Sequence, residues 1–359
     1  MTVLEDRATA RPPRLGARRR RGWILLLTLI PLIPISAVLA AGYGATDVSH
    51  SEAFRVFADK LAGVPDDSTE HTIIWDLRTP RLLMAIIVGA GLALAGCIIQ
   101  TLVRNPLADP YLLGISAGAS VGATSVITLG FLAGAGLWAL TFGALVGAVG
   151  AAVLVFGISL AQGGLTPLRL VLTGTVLSSA FSAIASFLIF RSSEPQAAQA
   201  VLFWLLGSLS GASWIKLIAP LVVVVVIAGV VLAFSGWLDA LATGPDAAAS
   251  LGVPVAKLRI SLFMLQAVLV GVLVSVAGGI GFVGLVVPHM ARILVGPRHR
   301  ISVPMAMVLG ALFLIWVDVT ARTLSPPMEV PLSVVTGLIG APVFLILLGR
   351  RRYRFGDDG

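Results

Sequence analysis

The sequence predicts an all-α polytopic membrane protein, with about ten transmembrane helices and a few short helices between them. Three observations support this fold class. Hydrophobic residues make up 57% of the 359 residues and charged residues only 12%, whereas soluble domains have roughly 45–50% and about 25%. Apolar runs of about twenty residues, the length that crosses a bilayer, recur along the whole chain. These runs are continuous, whereas the strands of an outer-membrane barrel alternate over about ten residues.

Nine apolar runs are long enough to be predicted as spans, and a tenth is shorter. In chain order they cover 23–43, 82–103, 111–129, 137–161, 168–190, 217–236, 260–280, 282–296, 303–321 and 331–349. The run 282–296 is the short one, and it carries Pro288, His289 and Arg292. Counting it gives ten spans and places both termini on the same side. The stretch 201–209 is too short to cross, so we predict an interfacial or re-entrant helix there.

The first span has a competing explanation as a signal peptide, because a basic region precedes it. Its apolar stretch from Trp23 to Tyr43 is longer than the roughly 7–15 residues of a signal core. We therefore predict a retained span that follows a basic cytoplasmic extension, 1–22. The ten-helix transmembrane domain then covers 23–349, and 350–359 forms a cytoplasmic tail.

The distribution of basic residues predicts the orientation. With the N-terminus inside, 17 of the 25 Lys and Arg residues lie in cytoplasmic segments and 7 lie outside. This is the positive-inside bias of membrane proteins. The net charge of +8 is therefore a topology signal, and nucleic acid is not an expected partner.

Two connections are longer than neighbouring helices need. The outer segment 44–81 is rich in acidic residues, and the inner segment 237–259 contains a run of alanines. Pro245 suits a first helical position, whereas Gly252 followed by Pro254 is a helix stop. These signals predict a short helix over 245–251 on the cytoplasmic face, with a docking role.

Small residues recur at helical spacing in three spans. The stripes are Gly89, Ala93, Gly96 and Gln100; Gly114, Gly118 and Gly122; and Thr175, Ser179, Ser182 and Ser186. Close helix packing is the favoured interpretation, and the lining of a weakly polar conduit is the alternative. Spans two to five and seven to ten would run in opposite directions, as in an inverted repeat, but their sequences agree only faintly.

The residues indicate no catalytic, nucleotide or metal site within the chain. No P-loop occurs, and 279–284, which matches Gly-x-Gly-x-x-Gly, follows a membrane helix and predicts a flexible break instead. The single cysteine, Cys97, excludes an internal disulfide. Asp318 and Arg322 can neutralise each other at i and i+4, which leaves no evident ion-coupling residue at mid-membrane. The energy for transport is therefore expected from a partner.

Several motifs are more specific. They are Arg78-Thr-Pro-Arg81, Arg104-Asn-Pro-Leu-Ala-Asp-Pro-Tyr-Leu-Leu-Gly114, Trp204-Leu-Leu-Gly-Ser-Leu209, Ala248-Ala-Ser-Leu-Gly252, Gly281-Phe-Val-Gly-Leu-Val-Val-Pro-His-Met-Ala-Arg292, His299-Arg300, Asp318-x-x-Ala-Arg322, Glu329-x-Pro331 and Gly340-Ala-Pro-Val-Phe344. Over about 23–352, in order and in spacing, the chain resembles the permease subunits of iron-siderophore and cobalamin ABC importers. Ser333 departs from the glycine expected after Glu-x-Pro.

The resemblance implies a set of partners and a location. It implies a second permease subunit, as a homodimer or a paralogous heterodimer, in the bacterial cytoplasmic (inner) membrane. It also implies two ATPase subunits that bind ATP and Mg, and a periplasmic or lipid-anchored binding protein that delivers the ligand. An iron-siderophore complex is the expected cargo, with cobalamin or haem as alternatives. An ion-coupled secondary transporter is the rival class.

The resemblance also implies three groups of site residues. The binding protein would dock on Arg78, Arg81 and Arg322, for which pairing with Asp76 and Asp318 or snorkelling is the alternative. The ATPase would couple through Ala248, Ser250, Leu251 and Gly252. The pathway or gate would include Gln100, Arg104, Asn105, Ser179, Ser182 and His289.

Overall fold

The computed structural model describes residues 15–44, 46, 48–64 and 68–350. Most of the predicted basic extension and nearly all of the C-terminal tail lie outside the described residues. Within them, every regular element is helical, which confirms the predicted all-α class.

Sixteen α-helices follow one another along the described chain. They are α1 (Leu15–Leu29), α2 (Leu32–Gly42), α3 (His50–Leu61), α4 (Thr69–His71), α5 (Thr79–Val103), α6 (Ile115–Leu129), α7 (Ala139–Ala161), α8 (Pro167–Arg191), α9 (Pro195–Leu205), α10 (Trp214–Ala233), α11 (Ser235–Thr243), α12 (Pro245–Ser250), α13 (Val255–Ala277), α14 (Val283–Val295), α15 (His299–Thr323) and α16 (Leu332–Arg350). A π-helix, Thr72–Arg78, and two 3₁₀ helices, Pro110–Leu113 and Ala133–Trp138, complete the set.

Seven helical segments are long and apolar enough to cross a membrane. They are Arg20–Gly42, Thr69–Val103, Ala133–Ala161, Pro167–Arg191, Trp214–Ala233, Val255–Ala277 and His299–Thr323. Three shorter apolar helices, Ile115–Leu129, Val283–Val295 and Leu332–Leu347, coincide with the remaining predicted runs. Each predicted run thus corresponds to an apolar helix, and the count of ten crossings stays a prediction.

Helix α5 lies at the centre of the fold, packed against α10, α13, α14 and α15. Its glycines explain how closely its neighbours approach. A Cβ on Gly89 would collide with the backbone of Gly310 in α15, and one on Gly96 would collide with Gly284 in α14. Gly118 and Gly122 of α6 meet α7 in the same way. The first two stripes are therefore packing surfaces, as favoured from the sequence.

The third stripe behaves differently. Ser179 and Ser182 are exposed on α8, together with large apolar side chains such as Val176 and Phe187. Only 17% of the α8 span window is buried within the chain. This face of α8 has no packing partner among the described residues.

Several helices begin, end or divide at residues other than the predicted ones, and the neighbouring sequence explains these differences. The first span is divided between α1 and α2 at Pro31, which cannot donate a backbone hydrogen bond. The second span begins upstream of 82, because the π-helix continues into α5 and Pro80 sits in the first turn of that helix. The predicted short helix at 201–209 is α9, which begins at Pro195 and ends at Leu205.

The break between α13 and α14 lies where the glycine-rich 279–284 segment predicted it, but its backbone is held by hydrogen bonds. The Tyr111 hydroxyl donates to the carbonyl of Ile280 (3.1 Å) and accepts from its amide (2.9 Å). The Ser333 hydroxyl donates to the carbonyl of Gly279 (2.7 Å) and accepts from the amide of Gly281 (3.2 Å). Ser333, the departure from the family pattern, therefore fastens this break to the start of α16.

Candidate functional site

The three arginines predicted to dock a binding protein come together at one end of the bundle. We call Arg78, Arg81, Asp318, Arg322 and Glu329 the arginine cluster. Arg81 pairs with Asp318 (Nε–Oδ1, 2.8 Å) and binds Glu329 through two nitrogens (2.5 and 2.9 Å). Arg322 lies 3.0 Å from the other Asp318 oxygen. Guanidinium and carboxylate groups match in this bidentate geometry.

Arg78 and Arg322 also hold the end of α2. Arg78 donates to the carbonyls of Ala41 and Thr46, each at 2.6 Å. Arg322 donates to the carbonyl of Tyr43 at 2.8 Å. Because the last carbonyls of a helix lack intrahelical partners, two guanidinium groups at this end satisfy them and complement the helix dipole.

The members of the arginine cluster differ in how far they are buried. Asp318 is fully buried, Arg78 and Arg322 are nearly so, and Glu329 is the most exposed member, at 39% of its side chain. The three predicted docking arginines are thus largely engaged within the chain.

The predicted coupling helix is present as α12. It ends in a Schellman motif, in which the amide of Val253 donates to Ala248 and that of Gly252 donates to Ala249. Gly252 has φ +79°, the left-handed conformation of a glycine that ends a helix, and no atom crowds it. Ala248 is buried, whereas Leu251 exposes 71% of its surface.

Helix α12 belongs to a longer element, the α11–α12 segment (Ser235–Gly252). Its α11 half packs against α5 and α15 and buries Leu238 and Leu241. Arg104, at the end of α5, approaches the turn between α11 and α12, where its guanidinium would lie 3.9 Å from a Cβ on Gly244. Sequence reasoning recognised α12 but missed α11, because Trp237 to Thr243 carries no cap signal.

The predicted pathway residues do not form one site. Gln100 is buried: its amide nitrogen lies 3.2–3.3 Å from carbonyls that include those of Ala108 and Leu285, and its oxygen accepts from Arg292. His289 is also buried in α14. Within this conformation, Gln100 joins α5 to α14 and does not face an open path.

Arg104 and Asn105 are exposed at the end of α5, far along the helix from any docking arginine. Arg104 adopts a left-handed conformation (φ 56°) that ends the helix, and the Asn105 side chain accepts from the amide of Leu107 (2.9 Å). Ser179 and Ser182 lie on the unpartnered face of α8. Among the residues that the structure describes, no three His, Cys, Asp or Glu side chains are placed to hold a metal ion.

Comparison with known proteins identifies one family and several permeases that this chain is similar to. Residues 32–350 match the model of the FecCD transport family. The chain is 36% identical over 324 residues to the molybdate import system permease protein MolB of Haemophilus influenzae, covering 90% of this chain and 95% of that protein. It is also 36% identical over 341 residues to the Fe(3+)-citrate import system permease protein YfmD of Bacillus subtilis, with coverages of 94% and 98%.

A third relative and a solved structure agree with these. The cobalamin import system permease protein BtuC of Halobacterium salinarum is 36% identical over 330 residues, covering 88% of this chain and 87% of that protein. A structure described as an inward-facing conformation of a putative metal-chelate type ABC transporter superposes with a TM-score of 0.80 at 35% identity. It covers 91% of this chain and 99% of that one.

Proposed function

Because the chain belongs to the FecCD transport family, we propose that it is the permease subunit of an ATP-driven importer for an iron-siderophore complex. The observation that carries the proposal is the similarity along about nine tenths of the chain to permeases of several import systems. The permease itself provides the path through the membrane. Hydrolysis of ATP, with Mg, belongs to separate ATPase subunits.

We propose a topology of ten crossings in the bacterial cytoplasmic (inner) membrane, with both termini in the cytoplasm. Seven long helices and three shorter apolar ones supply the crossings. Two of the three short helices, α6 and α14, pack directly on long spans, so these neighbours shield them from lipid. The excess of basic residues in the segments assigned to the cytoplasm supports this orientation, and the inverted repeat remains a hypothesis.

The ATPase subunits would dock on α12, with Ala248, Ser250, Leu251 and Gly252 as the coupling residues. An exposed leucine beside a helix end is a suitable anchor for a groove on another protein. Leu251→Ser should therefore weaken association with the ATPase and leave the stability of the permease unchanged. Leu61→Ser is the matched control, because Leu61 is 90% exposed at the end of α3, outside the α11–α12 segment.

A second permease subunit would cover the exposed face of α8. Ser179 and Ser182 would then line the pathway at the axis of a homodimer or heterodimer. Arg104 and Asn105, beside the α11–α12 segment, fit a cytoplasmic gate. Gln100 and His289 would act on the pathway through α14, whose position they help to set.

The arginine cluster would receive acidic residues of an external binding protein, periplasmic or lipid-anchored. The grouping of three guanidinium side chains supports this role, although Arg81 must then exchange its bond with Glu329 for one with the partner. Arg81→Glu is a poor test, since it would add a third carboxylate beside those of buried Asp318 and Glu329. Glu329→Gln removes the competing carboxylate, so it should tighten binding, and high salt should weaken binding.

The names of the relatives also support other cargoes. Molybdate and cobalamin permeases are as similar to this chain as a ferric citrate permease is. Cobalamin or haem is therefore the alternative, and molybdate is a further candidate.

The deciding experiment is uptake into proteoliposomes that contain this permease, its ATPase and its binding protein from neighbouring reading frames. ATP-dependent uptake of a radiolabelled ferric siderophore, in preference to molybdate or cobalamin, is the expected result. Uptake of molybdate or cobalamin alone would replace the cargo and keep the importer. Uptake driven by an ion gradient without ATP would overturn the importer itself.

A further inference from the structure

A series of side-chain hydrogen bonds connects the α11–α12 segment to two helices of the membrane core. Asp239 of α11 accepts twice from His299, through the backbone amide (2.9 Å) and through Nδ1 (2.6 Å). The Nε2 atom of His299 lies 2.7 Å from the hydroxyl of Thr101 in α5. His299 and Thr101 are both buried. One side chain at the start of α15 therefore touches both α11 and α5.

The hydrogen-bond inventory defines the direction of the bond to Asp239. A carboxylate offers only acceptor oxygens, so the backbone amide and Nδ1 of His299 both donate to Asp239. The Thr101 hydroxyl, which also lies 2.8 Å from the carbonyl of Cys97, can donate to Nε2 or accept from it. In either case His299 makes a charge-assisted hydrogen bond to the Asp239 carboxylate.

The environment of Asp239 agrees with this pairing. Burial raises the pKa of the Asp239 carboxyl, but the hydrogen bonds and the charge of His299 outweigh burial and lower that pKa below its ordinary value. The Asp239 side chain is 35% exposed, and it lines a polar cavity of about 530 Å³ together with Trp23, Arg298 and Arg300. Because α11 borders this cavity on one side, the bond between Asp239 and His299 constrains the position of α11 there.

The location of the pair makes it relevant to coupling. Helix α12 packs against α11 and α13, so a displacement of α12 reaches the core partly through α11. Leu238 and Leu241 bury the apolar face of α11, but apolar contacts are non-directional. A charged hydrogen bond fixes both distance and angle.

We propose that His299, held by Thr101, is the positioning residue that fastens the α11–α12 segment to α5 and α15 through Asp239, so that force applied at α12 moves those two helices. This inference rests on the proposed function, in which an ATPase acts on α12. It assigns roles to His299, Asp239 and Thr101 that the predicted coupling residues did not include.

The test combines exchange and transport measurements on the assembled transporter. His299→Ala should raise hydrogen–deuterium exchange of α11 amides by roughly ten- to hundredfold, the range expected for losing a hydrogen bond to a charged group. It should also reduce the cargo transported per ATP hydrolysed, while basal ATPase activity persists. Arg191→Ala is the control, because Arg191 is exposed at the end of α8 and does not line the cavity beside Asp239.

Graded variants separate positioning from simple stability. Asp239→Asn keeps the acceptor oxygen and should retain more coupling than Asp239→Ala. Thr101→Ser should behave as wild type, and Thr101→Val should loosen the tether. A purely structural role would lower thermal stability and leave the transport-to-ATP ratio of the surviving protein unchanged, which would overturn the proposal.

The two hypotheses fail in different ways. Wild-type exchange and a wild-type transport-to-ATP ratio in His299→Ala would refute the positioning role and leave the importer intact. If His299→Ala does not assemble, Asp239→Ala and Thr101→Val provide the same two measurements. A wild-type protein without ATP-dependent uptake would refute the proposed function, while the exchange data would still test the tether.

Discussion

Arg81 has two carboxylate partners that differ greatly in burial, and this difference predicts unequal effects on stability. Asp318 is fully buried, whereas Glu329 is 39% exposed. Leaving a buried charge without a partner costs about 3–5 kcal/mol. Arg81→Met removes one of the two arginine partners of Asp318 and leaves Arg322, so we expect a cost at the lower end of that range, about 3 kcal/mol. Glu329→Gln removes a partly solvated charge and keeps the shape and an acceptor, so it should cost no more than about 1 kcal/mol.

The free energy of unfolding of the permease in lipid bilayers, measured by steric trapping, tests this difference. Arg81→Met should be less stable than Glu329→Gln by at least about 2 kcal/mol, from the same two ranges. Combining Arg81→Met with Asp318→Asn should cost less than the sum of the two single changes, since the buried carboxylate that lost its bond to Arg81 is then gone. Equal stabilities of Arg81→Met and Glu329→Gln, or strictly additive effects in the cycle, would refute the reasoning.

Three further predictions follow from single positions. Gly252→Val should strain a left-handed backbone (φ +79°) and uncouple ATP hydrolysis from uptake, whereas Gly252→Asn should be tolerated; equal uptake by both variants would contradict this. Gly96→Ala should destabilise the fold by about 1–3 kcal/mol in the same unfolding measurement, because its Cβ would lie 2.7 Å from a proline ring carbon of α14. Gly150→Ala, where nothing lies within 4 Å, should be neutral or stabilising. On a cysteine-free background, a cysteine at exposed Lys60 should react with an impermeant thiol reagent from outside, and one at exposed Arg300 only after permeabilisation. The reverse labelling pattern would invert the proposed topology.

Sequence and structure differ on which residues can report the two sides of the membrane. From the sequence alone, Asp66 and His299 are natural reporters of the two sides. Asp66 lies outside the described residues, and His299 is buried against Thr101 and Asp239. A residue assigned to a loop by hydropathy can therefore be inaccessible, because hydropathy measures average polarity and not packing.

Local features of the fold follow from the sequence. The apolar runs predicted every long helix, because partitioning into lipid depends on the composition of about twenty consecutive residues. The proline, alanine and glycine pattern predicted α12 and its end before Gly252, because capping is decided within one helical turn. The glycine stripes predicted close packing, because small residues at helical spacing lie on one face of a single helix. They did not predict which helices would meet.

Only the tertiary structure decided what the charged residues do. Arg81 meets Asp318 across 237 residues of sequence and Glu329 across 248, so no spacing rule could pair them. The same holds for Ser333 at the glycine-rich break and for His299 between α5 and α11. The sequence by itself determined which segments form apolar helices, since that depends on local hydrophobicity. Which polar groups become buried partners was decided by the three-dimensional packing, because a buried charge or hydrogen-bonding group must find its partner wherever the fold brings one.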